Sequence, residues 1–126
     1  MSSVRVLAVD DSPTILEMIQ AILVAGGYEV ITATDGQEAL NAARSEAPDL
    51  ILLDVMLPKL DGYRVCRLLK FDQKFKSIPI IMLTSKSEEQ SVVTGIRTGA
   101  DQYLTKPIEP ERLLSAVAEE LNKVRS

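Results

Sequence analysis

Residues 49–62 read DLILLDVMLPKLDG. The apolar run from Leu50 to Leu53 is continuous, where a half-exposed strand would alternate. A short unbroken run of this kind fits a strand covered on both faces, as in a parallel sheet with helices on either side. It ends on a carboxylate, Asp54, followed by an apolar loop, Val55 to Leu60, that carries Pro58. Asp61-Gly62 then opens a helix with Val65, Leu68 and Leu69 predicted inward. Strand, loop and helix follow one another without a linker.

The same unit recurs on both sides. Upstream, residues 4–9 predict a first strand, and Ser12-Pro13 supplies an N-cap with proline in the first helical position. Ile15, Met18, Ile19, Ile22 and Leu23 recur at helical spacing, and Gly26-Gly27 closes that helix. Tyr28 to Ala33 predicts strand two. Asp35 with Glu38 forms a capping box for a helix lined by Ala39, Leu40 and Ala43, and Pro48 stops it. Downstream, Ile80 to Leu83 predicts strand four. Ser87 and Gln90 cap a fourth helix with Val92, Val93 and Ile96 as its stripe, and Gly99 ends it. Gln102 to Thr105 predicts strand five, and Pro110 starts a fifth helix with Leu113, Leu114, Val117 and Leu121 inward.

Five strands alternating with five helices predict an α/β fold, a doubly wound three-layer sandwich around a five-stranded parallel sheet, with right-handed crossovers. The flavodoxin-like order 2-1-3-4-5 is the natural candidate. Ligands of such sheets bind at the carboxyl ends of the strands. There the runs end on Asp10 and Asp11, on Asp54, on Thr84 and on Lys106. The expected strand order sets Asp10 and Asp11 beside Asp54. Carboxylates about 4 Å apart repel by roughly 4 kcal/mol per pair near a protein surface, so the cluster calls for a cation or protons. An oxygen-only site with few protein ligands suits Mg²⁺, which keeps waters and bridges to phosphate. Asp54 is the candidate nucleophile, since aspartate can attack phosphorus to form an aspartyl-phosphate. Lys106 would pair with one phosphoryl oxygen, and the Thr84 hydroxyl would donate to another.

Composition removes alternatives. The 126 residues fit one domain, 1–126. The net charge of −4 argues against sequence-independent attraction to nucleic acid. No apolar stretch approaches the length of a membrane span. The start MSSVRV lacks the regions of a signal peptide and looks like a natural beginning. The single cysteine, Cys66, cannot form an intrachain disulfide, which suits a cytoplasmic setting. Histidine is absent, so any phosphohistidine must belong to a partner.

With VDDSP at 9–13, DLILLDVMLPKLDG at 49–62, PIIMLTS at 79–85 and GADQYLTKP at 99–107, the chain closely resembles the receiver domain of bacterial response regulators of two-component signalling, including chemotaxis-type receivers. The resemblance covers essentially the whole chain. It implies that Asp54 is the phosphoacceptor, and that Asp10, Asp11, Asp54 and the backbone carbonyl of Met56 serve Mg²⁺. It implies that Lys106 neutralises the phosphoryl group, that Thr84 and Tyr103 are the switch residues, and that Lys106-Pro107 is a cis peptide. The phosphoryl group would come from a histidine kinase, a histidine phosphotransfer protein or a small phosphodonor. The output would be a changed face formed by the fourth helix, fifth strand and fifth helix, read by an effector protein or by an output domain beyond this chain. Such a domain is a switch that catalyses only its own phosphorylation and dephosphorylation, with no direct nucleic-acid or membrane contact. It is expected to be a monomer or a weak phosphorylation-dependent dimer. Transcription-factor receivers that dimerise through that face often carry GADDY; Gln102 stands at the second acid here, which puts that ion-pair dimer in doubt. Partner choice by such receivers usually lies on helix one, here with Ile15, Met18, Ile19 and Ile22.

Three rivals fare worse. An aspartate-nucleophile phosphohydrolase would need D-x-D, where this chain has adjacent acids. A flavodoxin-type electron carrier would need a neutral phosphate loop where DDSPT is acidic. A scaffold-only receiver would have no use for the intact acidic set. Met56 and Lys86, two residues after Asp54 and Thr84, are placed to flank a hydrolytic water. Substituting either is expected to change the half-life of the phosphoprotein more than its unfolding midpoint; equal half-lives across such variants would count against that role.

Overall fold

A computed structural model of the chain describes residues 3–85 and 99–125. Five parallel strands form one sheet in the order β2-β1-β3-β4-β5, the expected order. They are β1 (Arg5–Val9), β2 (Glu29–Ala33), β3 (Leu50–Asp54), β4 (Ile80–Thr84) and β5 (Gln102–Thr105). The described helices are α1 (Pro13–Ala25), α2 (Gly36–Glu46), α3 (Gly62–Lys70) and α4 (Pro110–Arg125). Thus α4 is the fifth predicted helix. The fourth, on Ser87, Gln90, Val92, Val93 and Ile96, lies outside the described residues, as does Lys86.

Strand alternation sorts the core into two layers. Val6, Ala8, Leu50, Leu52, Ile81, Leu83 and Leu104 face α1 and α4. Leu7, Val9, Ile51, Leu53, Ile80 and Met82 face α2 and α3. All of β3 and β4 is buried, which explains their unbroken apolar runs. The predicted helical faces hold with one outward exception on each of two helices; Ile15 and Ile22 pack against the core as partly buried residues. In α1 the buried residues are Leu16, Ile19 and Leu23, while Met18 is 42% exposed. In α3 they include Val65, Cys66 and Leu69, while Leu68 is 45% exposed. Small or neighbouring residues take the inward positions in both, because the sheet contacts only one stripe of each helix.

Polar contacts then close the edges of the sheet. The Lys70 ammonium, at the end of α3, reaches Asp101 Oδ2 at 2.7 Å and the Ile78 carbonyl at 2.8 Å. That carboxylate oxygen also accepts the Ile80 N–H at 2.8 Å, so a single ion pair anchors the entries to β4 and β5. Gln102 is engaged within its own chain: its Nε2 donates to the buried Glu120 at 2.6 Å, and its Oε1 accepts from Arg112 at 3.2 Å. Lys70→Met removes the ammonium from the Asp101 carboxylate and the Ile78 carbonyl. It is expected to cost about 1–3 kcal/mol, read from the urea midpoint. An unchanged midpoint would refute the anchoring role.

Candidate functional site at the carboxyl edge of the sheet

Parallel register brings the ends of β1 and β3 together, with Val9 opposite Leu53. Asp10 therefore leaves β1 beside Asp54, the last residue of β3. Asp10 is 1% exposed. Its Oδ1 accepts the Ser12 N–H at 2.9 Å, and its Oδ2 accepts from the Lys106 ammonium at 3.0 Å. Capping of α1 falls to Ser12, whose Oγ accepts the Ile15 N–H at 3.4 Å. Asp10 is thus free to spend one oxygen on the site.

Asp54 is 4% exposed and lies 3.3 Å from the Lys106 ammonium through Oδ1. Burial, and then the charge of Asp10, push its carboxyl up to about 6, against the pull of Lys106 and of the Met56 N–H that donates to it. Burial by itself would lower the Lys106 ammonium; its hydrogen bond to Asp10 and the charges of Asp54 and Asp10 outweigh this and raise it. Lys106 is therefore held cationic between two buried acids. Its own N–H donates to the Thr84 carbonyl at 2.6 Å, which ties it to the end of β4. The following Lys106-Pro107 bond is cis.

Asp11 completes the cluster from an exposed position. One carboxylate oxygen from each of Asp10, Asp11 and Asp54 lies within 4.8 Å of the others. Three oxygen donors of this kind, with one ammonium among the described residues beside them, fit a hard divalent cation such as Mg²⁺. The Met56 side chain is 63% exposed beside Asp54. Thr84 and Tyr103 share a sheet face, because Tyr103 pairs with Met82, two residues before Thr84. Among the described residues, neither the Thr84 hydroxyl nor the Tyr103 hydroxyl has a hydrogen-bond partner, though both are buried. Burial first, then Cys66 and Tyr63, push the Tyr103 phenol up to about 12. Ile15 and Met18 of α1 line a cavity of about 350 Å³ together with Lys106, Pro107 and Ile108.

The apolar loop that follows Asp54 is not its only support. A methyl group on Gly62 would collide with the Asp54 carbonyl oxygen, so only glycine lets α3 start this close to β3. The Asp61-Gly62 pair signals the helix start but not that packing. The loop from Val55 is clamped to α2 by a Gly36 N–H to Pro58 carbonyl bond of 3.3 Å and a Lys59–Asp35 ion pair of 3.4 Å.

Comparison with known proteins decides the family. The profile of the response regulator receiver domain matches residues 6–118. The chain belongs to the response regulator receiver domain family of two-component signalling. This receiver is 50% identical over 113 residues to the alkaline phosphatase synthesis transcriptional regulatory protein PhoP of Bacillus subtilis, a match covering 90% of this chain and 46% of PhoP. It is 42% identical over 119 residues to the DNA-binding response regulator MtrA of Mycolicibacterium smegmatis, covering 94% of this chain and 51% of MtrA. The chain spans about half the length of these curated relatives. Among solved structures, a CheY-like receiver domain protein from Methanospirillum hungatei superposes with a TM-score of 0.91 at 31% identity, covering 98% of both chains. No described helix is long and apolar enough to cross a membrane.

The raised carboxyl of Asp54 makes a stability prediction for the metal-free protein. Its folded value, about 6, lies above the ordinary 3.8, so the folded state binds the extra proton and loses stability as pH rises between those values. Asp54→Asn removes that charge. Urea unfolding at pH 7 without divalent cations should show the variant more stable by about 1–3 kcal/mol, with the gap closing below about pH 4. A variant less stable than the parent at pH 7 would contradict it.

Proposed function

We propose that residues 1–126 form one receiver domain that takes a phosphoryl group onto Asp54. The observation that supports this most is the Lys106 ammonium held 3.0 Å from Asp10 and 3.3 Å from Asp54, with a third carboxylate beside them. Phosphohistidine on a histidine kinase or a phosphotransfer protein is the donor, and a small acyl phosphate can substitute. An Asp54 oxygen attacks phosphorus; the O–P bond forms as the P–N bond breaks, and the electron pair leaves on the partner's imidazole. With its carboxyl at about 6, Asp54 is mostly ionised at neutral pH and so competent to attack. Lys106 keeps its charge and pairs with the phosphoryl oxygens as they crowd the pocket.

The carboxylates of Asp10, Asp11 and Asp54 and the Met56 backbone carbonyl would hold Mg²⁺. When bound, that ion supplies positive charge against the repulsion of carboxylates and phosphoryl group. The Thr84 hydroxyl donates to a phosphoryl oxygen, gaining the partner it otherwise lacks among the described residues. Tyr103, on the same sheet face, repacks inward behind it. The face around β5 and α4 then changes, a local charge event biasing a two-state element. Met56 and Lys86 set the lifetime of the phosphate. The domain is a cytoplasmic switch rather than an enzyme acting on a separate substrate. Its output passes to an effector protein or to a further domain, as the DNA-binding description of MtrA suggests for relatives of twice the length. It works as a monomer or a weak phosphorylation-dependent dimer. Gln102 is a neutral amide engaged within the chain, so it supplies no ion pair to such a dimer.

Labelled acetyl phosphate with Mg²⁺ tests the assignment. The parent should take up base-labile label, and Asp54→Asn should take up none while keeping its circular dichroism. Lys106→Ala should lower uptake at least tenfold. Undiminished labelling of Asp54→Asn would overturn the assignment of the phosphoacceptor.

A further inference from the structure

The outer surface of α2 and α3 carries a feature that the phosphoryl chemistry does not use. An open groove of about 800 Å³ runs between these helices, floored by Leu60, Leu68 and Phe71. Leu68 is 45% exposed and Phe71 is 72% exposed, so this floor concentrates apolar surface that folding leaves in water. Its rim is basic. Arg44 from α2, with Arg64 and Arg67 from α3, lines it beside one acid among the described lining residues, Asp72, on a chain whose net charge is −4. The Asp72 carboxylate already accepts the Lys74 N–H at 2.9 Å. The Arg67 guanidinium lies 5.9 Å from the Phe71 ring centroid, so charge and apolar surface meet at one point. Arg64 is only lightly held, by a 3.5 Å contact with Asp61, and its side chain is 74% exposed.

We propose that this groove docks an acidic amphipathic helix of a partner protein. The apolar floor would take side chains at helical spacing, and flanking Asp or Glu would pair with the three arginines. The α3 wall spans nine residues, which matches an occupant of two to three turns. Charge complementarity selects an acidic partner over a second copy of this chain. A two-fold contact would place each arginine rim opposite its own copy, setting like charges face to face. The proposal concerns a surface distinct from the acidic cluster and does not rest on the phosphoacceptor reading.

The test uses two libraries of 12-residue helical peptides. Leu, Ile, Met or Phe varies at positions i, i+4 and i+7; the positions flanking them are Glu in one library and Lys in the other, and the rest are Ala, with the helix closed by a side-chain staple. The Glu library should yield binders of the full chain whose affinity falls with added salt. Arg64→Glu combined with Arg67→Glu, and separately Phe71→Ser, should each weaken them about tenfold. Arg44→Glu, on the opposite wall, should weaken them too and covers the case in which an α3 variant folds poorly. No binders from the Glu library, equal binders from the Lys library, or binders indifferent to all three variants would overturn the proposal. Sedimentation of the chain alone that shows a dimer abolished by Phe71→Ser would also overturn it, assigning the groove to self-association.

Discussion

The Lys106 ammonium, caught between the buried carboxylates of Asp10 and Asp54, is the interaction on which the arrangement at the sheet edge depends. Two buried acids at this separation cannot both ionise without compensation. The lysine comes from the far end of the chain, 96 residues after Asp10. Its position is set by β5 pairing with β4 and by its own backbone bond to the Thr84 carbonyl. Carboxylates from the centre of the sheet and a cation from its edge are thereby held by the same ladder of parallel strands.

Among the described residues that compensation is incomplete. One ammonium faces three carboxylates there, and the Asp54 carboxyl is pushed up to about 6 chiefly by burial. Two buried hydroxyls, on Thr84 and Tyr103, have no partner among the described residues. A site left short of positive charge and of acceptors is one that a cation and a phosphoryl group would complete together. The surrounding structure carries the cost. Unbroken apolar strands, the Lys70–Asp101 anchor and the close packing of Gly62 against β3 hold the edge in place.

Much of this was legible along the chain because each chemical residue ends an apolar run. Continuous runs at Leu50–Leu53 and Ile80–Leu83 signal doubly covered strands, and the caps at Ser12, Asp35 and Asp61 lie where the sequence places them. Helical faces were harder to read. Met18 and Leu68 fit the helical period yet face outward, because apolar residues on α1 and α3 outnumber the positions the sheet can cover. Leu68 belongs to the basic-rimmed groove, so its exposure has a consequence that periodicity could not show. Gln102 reads locally as a missing acid; only the fold reveals the buried Glu120 that holds it.

By itself the sequence determined the class of fold, the order of its elements and the identity of the groups at the strand ends. These follow from local hydropathy, capping and turn chemistry, which depend on near neighbours in the chain. Tertiary structure alone decided which oxygen of Asp10 meets Lys106, how far burial lifts Asp54, that Gly62 abuts the Asp54 carbonyl, and that three arginines converge on one apolar groove. Those facts depend on distances between segments far apart in sequence, and on the removal of water that occurs only when the two helical layers close over the sheet.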